Sequence, residues 1–144
     1  MDYNTKTHSF LLKNKNTLSE EEERQLMNYN VYVENQIAWE LRFELKSLFT
    51  EFLENKIDGE ELCDGFHGLR RTLFDQMAKF KSDLVSGKIK NFQASESEAM
   101  SRLLSYLYFV SEDWEEDEYD TPEFYDFAQK GMSELENILK GNIT

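Results

Sequence analysis

Leu62-Cys63-Asp64-Gly65-Phe66-His67-Gly68-Leu69-Arg70-Arg71-Thr72-Leu73-Phe74-Asp75-Gln76-Met77-Ala78-Lys79-Phe80-Lys81-Ser82-Asp83-Leu84 is the stretch that decides the fold class. Its apolar residues Leu62, Phe66, Leu69, Leu73, Met77, Phe80 and Leu84 follow one another in steps of 4, 3, 4, 4, 3 and 4. Steps of three and four return to the same side of a helix, so all of them form one stripe facing a core. A coiled-coil seam would use the same spacing, but the stripe spans only about three heptads. Core packing is the reading taken. Just upstream, Gly59 breaks the chain, Asp58 caps the next turn, and Glu61 reaches back to it. Gly87 stands at the helix-stop position.

Toward the N-terminus, Ser19-Glu20-Glu21-Glu22 has the spacing of a capping box, and its acids complement the helix dipole. Leu26, Val33, Ile37, Leu41, Leu45, Leu48 and Phe52 then keep a helical period, which predicts one long helix from about Ser19 to Asn55. Asn28-Tyr29-Asn30 is the place where it would bend. Toward the C-terminus, Ser95-Glu96-Ser97-Glu98 reads as a third cap, introducing Met100, Leu103, Leu104, Leu107 and Val110. Thr121-Pro122 opens the last helix, with Phe124, Phe127, Ala128, Gly131, Leu135 and Ile138 on one side and a stop at Lys140-Gly141. Val31-Tyr32-Val33 is too short for a strand. The expected fold is all-α: a single-domain four-helix arrangement with a long first helix, residues 1–18 a flexible N-terminal tail and 19–140 the helical domain.

The whole chain sets the bounds. Its 144 residues suit one domain, able to bury roughly 68–70% of the surface of its unfolded chain. Eleven Phe, seven Tyr and two Trp are too many for a disordered acidic segment. One Cys excludes an intrachain disulfide and any multi-cysteine metal site. A net charge of −13 argues against a protein that neutralises nucleic-acid phosphates over a wide face. Phe10-Leu11-Leu12 is too short for a signal-peptide core, and nothing approaches the ~20 apolar residues of a membrane span. The chain is therefore expected to remain where it is made, in the cytoplasm, or in the plastid stroma if plastid-encoded.

Catalytic motifs are sparse. Neither a Gly-x-x-x-x-Gly-Lys nor a Gly-x-Gly-x-x-Gly loop occurs. Cys63 and His67 lie four apart, but no third group orients them as a nucleophile and base. Asp64-x-x-His67 with Glu40 and Glu44 is half of a di-metal pattern, and the only other histidine, His8, falls in the expected tail. The reading expects no enzyme, no metal and no cofactor.

Charge is the clearest signal outside the core. Residues 112–126 hold nine acids and no Lys or Arg, interleaved with Trp114, Tyr119, Phe124 and Tyr125. Glu112, Asp113, Trp114, Glu115, Glu116, Asp117, Glu118, Tyr119 and Asp120 are the candidate partner-binding residues, combining steering charge with desolvatable rings. The competing reading turns those rings into the core and leaves a solvated acidic loop. The opposite pole is Arg70, Arg71, Lys79, Lys81, Lys88 and Lys90, a basic face suited to an anion or to the acidic connector of a second copy.

The pattern Phe49-x-x-x-Leu53-x-x-x-Ile57-Asp58-Gly59-Glu60-Glu61-Leu62-x-x-x-Phe66 resembles the colicin D immunity-like family, small acidic helical proteins that block a toxin nuclease. From Ala38-Trp39 through Gly68-Leu69-Arg70-Arg71 to Ser86-Gly87-Lys88-Ile89 the chain is similar to uncharacterised plastid and cyanobacterial open-reading-frame proteins. The first likeness implies stoichiometric inhibition of a basic protein partner, a toxin nuclease domain, with carboxylates standing in for the phosphates of its tRNA substrate. The second implies a housekeeping or assembly factor. Neither transfers a role to any residue.

Overall fold

The computed structural model describes residues 3–89 and 97–141. Over these the chain forms six α-helices and no strand: α1 (Thr5–Lys13), α2 (Glu20–Glu40), α3 (Arg42–Leu53), α4 (Gly59–Val85), α5 (Ala99–Ser111) and α6 (Pro122–Leu139). A 3-10 turn, Glu116–Glu118, sits between the last two. The all-α class stands, but the four-helix count and the single long first helix do not.

The caps explain most of the boundaries. Ser19 Oγ accepts the Glu22 N–H at 3.2 Å while the Glu22 carboxylate accepts the Ser19 N–H at 3.0 Å. Asp58 and Glu61 repeat the exchange at the head of α4, at 2.8 and 3.2 Å. Thr121 Oγ1 takes the Phe124 N–H at 3.3 Å and Pro122 opens α6. Gly87 and Gly141 have φ of 77° and 74°, the left-handed conformation that glycine adopts without penalty at a helix end. The expected cap at Ser95-Glu96 lies outside the described residues; Ser97 Oγ accepts the Ala99 N–H at 3.2 Å.

The expected long helix is broken at Leu41 rather than bent at Asn28–Asn30. Arg42 donates a guanidinium N–H to the Trp39 carbonyl at 2.8 Å, and its cation lies 4.3 Å from the Trp39 ring and 4.4 Å from the Phe43 ring. A side chain that occupies the Trp39 carbonyl competes with the i→i−4 ladder there. Leu41 N–H turns to the Ala38 carbonyl at 3.1 Å. The break lets α2 pack on α1, α4 and α5 while α3 packs on α4 and α6. Leu41 itself is buried, so the hydrophobic period continues through a backbone that does not.

The stretch read as a tail contains α1, seated against α2 and α4. Its apolar residues are consecutive, so they cannot share a face: Leu11 is buried while Phe10 is 54% exposed. The rest of its anchor is polar. His8 is 0% exposed, with Nε2 2.8 Å from Asn30 Oδ1 and Nδ1 2.7 Å from the Tyr3 hydroxyl. Rings of Tyr3, Tyr29 and Phe80 surround it.

Burial holds the His8 pKa below its ordinary 6.5; Asn30 opposes the shift and nearby Lys81 adds to it. Below 6.5 the unfolded chain takes up a proton that the folded state resists, so stability falls as pH drops. Wild type should therefore lose stability between pH 7 and 5 relative to His8→Gln, by at most about 1.4 kcal/mol per pH unit. Urea midpoints of the two proteins across that range check this; parallel curves would remove His8 as the cause.

The core is centred on Leu45, Phe49, Leu62, Phe66, Met100, Leu107, Phe124 and Leu135. Phe49 and Phe66 pack at 5.5 Å, and a Cβ added at Gly131 would lie 2.6 Å from the Phe49 ring. The stripe on α4 points inward at Leu62, Phe66, Leu69, Leu73 and Leu84, while Met77 and Phe80 only border the core. Leu69, 8% exposed, should cost about 2–5 kcal/mol when replaced by Ala, and Phe80 less. Chemical denaturation of both variants measures the difference.

Candidate functional site

The acidic connector is an ordered bridge from α5 to α6. Glu112, Asp113, Glu115, Glu116, Asp117 and Asp120 are exposed, and Glu118 is partly covered. The Glu118 carboxylate accepts the Glu115 N–H at 2.9 Å, while its own N–H goes to the Glu115 carbonyl at 2.9 Å. Its carbonyl takes the Thr121 hydroxyl at 2.7 Å. One of the candidate carboxylates is thus committed to closing the turn. Among the described residues, the ion pairs lie elsewhere and include none of the acids from Glu112 to Asp120.

The rings of the candidate site pack inward. Trp114 meets Phe124 edge-on, 5.1 Å between centroids at 86°, and Phe127 at 5.6 Å. Tyr119 meets Phe124 at 5.4 Å. Trp114 and Tyr119, both half-buried, therefore pin the connector to the core. Gly59 makes this possible: a Cβ there would lie 2.7 Å from both the Cβ and the carbonyl oxygen of Tyr119. Sequence reasoning assigned Gly59 to breaking the chain, and no local signal marks its contact with Tyr119.

Trp114 does keep one side toward a groove of about 700 Å³ between α5 and α6, which sequence reasoning missed. Tyr106, Val110 and Phe127 line it with Trp114, and Glu123 and Glu134 stand on its α6 wall. Part of the signal was present: Tyr106 and Val110 follow Leu103 by three and seven residues, so they lie beside it on α5, and Leu103 lines the groove with them.

Cys63 and His67 take different partners. The Cys63 thiol is buried against the Tyr119 hydroxyl, and burial pushes its pKa up to about 12, with Asp64 adding to the shift. His67 Nε2 lies 3.1 Å from Ser111 Oγ, whose proton goes to the Tyr108 carbonyl at 2.8 Å. With its hydroxyl donating to a backbone carbonyl, Ser111 accepts from His67, which is not the arrangement of an activated nucleophile. A buried neutral thiol reacts only after opening. Native Cys63 should therefore resist a disulfide reagent at pH 8 that labels it at once in denaturant; rapid native labelling would contradict its placement.

Three of the six cations of the basic pole have partners within the chain. Arg70 lies 4.1 to 5.0 Å from the rings of Tyr108, Phe109 and Phe74, and Lys79 and Lys88 both reach Asp83. Lys90 lies outside the described residues. Among those residues no three His, Cys, Asp or Glu side chains converge on a metal position, and no helix is long and apolar enough to cross a membrane. No family model, curated protein or solved structure matches the chain.

Proposed function

We propose that this chain is a non-enzymatic binding protein whose acidic connector receives a basic protein partner, as an immunity-type inhibitor receives a toxin nuclease domain. The observation that carries the reading is a run of carboxylates from Glu112 to Asp120 without an ion pair among the described residues, on a backbone pinned by Trp114, Tyr119 and Gly59. Like charges held close together repel, and a basic partner relieves that repulsion. A connector already ordered also loses little entropy on binding. Hydrogen bonds within the turn and ring contacts to Phe124 supply that order.

Affinity purification from the native host tests it, with wild type and a Glu112→Lys, Asp113→Lys, Glu116→Lys, Asp117→Lys variant as baits. These four acids are exposed, whereas Glu118 closes the turn and is left intact. A basic protein recovered on wild type and lost on the variant supports the reading. The same proteins recovered on both baits would refute it.

A further inference from the structure

We propose that the groove between α5 and α6 holds a basic amphipathic helix of the partner, an inference that rests on the acidic-face reading and adds a binding mode to it. The α5 wall runs from Ala99 to Val110 and the α6 wall from Glu123 to Glu134. Each covers eleven residue steps, so at ~1.5 Å per residue the groove is about 16 Å long, three helical turns. Its volume is about 700 Å³, and Tyr106, Val110, Trp114 and Phe127 are among its apolar lining. Tyr106 is 55% exposed, a large ring in an open trough.

The walls decide what kind of backbone fits. Both are helices whose main-chain groups are bonded internally, so neither offers the free edge that an extended segment would pair with. A helix satisfies its own N–H and C=O groups and presents residues at i, i+3 or i+4 and i+7 to the trough.

The rim decides the charge. Its two cations among the described residues already have partners in this chain: Arg102 pairs with Glu98, and Lys130 with Asp126 at 3.1 Å. Glu123 and Glu134 have no ion pair among the described residues. What the rim offers an incoming helix is therefore negative, and the Trp114 end of the groove runs directly into the acidic connector. Lys or Arg beside the apolar face of the occupant meets both. A second copy of this chain carries a net charge of −13, so its approach is opposed overall.

The test uses three labelled synthetic peptides of about fourteen residues, roughly four turns, with fluorescence anisotropy at low salt and the full chain. One carries Leu at i, i+3, i+4 and i+7 with Lys on the flanks; the second shuffles the same residues; the third replaces Lys by Glu. The first should bind at least about tenfold more tightly than the other two, a difference set by the apolar face and by charge together. Tyr106→Glu, at an exposed position, should weaken it by about tenfold or more, and Glu123→Lys with Glu134→Lys should do the same while steepening no salt dependence. Circular dichroism and melting confirm that each variant is folded. Equal binding of the ordered and shuffled peptides, or indifference to Tyr106→Glu, would overturn the groove while leaving the acidic connector as a diffuse charge site. Absence of binding by all three would also overturn it, and the bait comparison would still judge the acidic face independently.

Discussion

Replacing Phe124 by Ala should destabilise the protein by about 3–5 kcal/mol, the range for deleting a fully buried aromatic ring. This ring is the point at which fold and candidate site join. Phe52 meets it at 5.4 Å from α3, Phe127 at 5.7 Å from its own helix, and Trp114 and Tyr119 from the connector. Its loss leaves a cavity and also removes the surface on which both connector rings rest. Two readouts should move together: the denaturation midpoint, and the fluorescence of Trp114 measured in a Trp39→Phe background. Phe124→Leu keeps most of the volume and should recover part of the stability but not the edge-on ring contacts. A Phe124→Ala protein that melts like wild type would contradict the placement of this ring.

Reversing Glu112, Asp113, Glu116 and Asp117 to Lys should slow association with a basic partner by about tenfold or more, with stability nearly unchanged. These four exposed charges have no ion pair among the described residues and contribute little to packing, and removing their mutual repulsion favours the compact state. Steering acts at a distance, so the effect belongs to the on-rate. Glu118→Lys is different in kind, because it also removes the carboxylate that accepts the Glu115 N–H. That variant should lose order in the turn as well as charge, and thermal melting separates it from the other four.

The buried stripe of α4 and three of the helix caps were legible because they are local: each depends on residues three or four apart. The break at Leu41 was not, since it arises from the Arg42 side chain competing for one backbone carbonyl while the apolar period runs on unchanged. Helix α1 was hidden for another reason. Its anchor is His8, a polar residue whose burial is made tolerable by Asn30 and Tyr3, distant in sequence or beyond the helix. In the candidate site, the acids were visible as a run of one sign. The direction of Trp114 and Tyr119 was not, because it depends on Gly59 and Phe124, which the chain brings from two other elements. The groove beside Trp114 needed both of its walls to be placed before it existed at all.

The acidic face as a receptor for a basic partner is tested most directly by association kinetics in a stopped-flow instrument. The partner recovered on the wild-type bait is mixed with wild type and with the four-charge variant at low salt and at ~0.15 M, where the Debye length is about 8 Å. The wild-type rate should fall several-fold as salt rises, and the variant should be slow at both concentrations. Equal rates for both proteins, unmoved by salt, would contradict the account and send the search to the Arg70 cluster with Phe74 and Phe109 on the α4–α5 face.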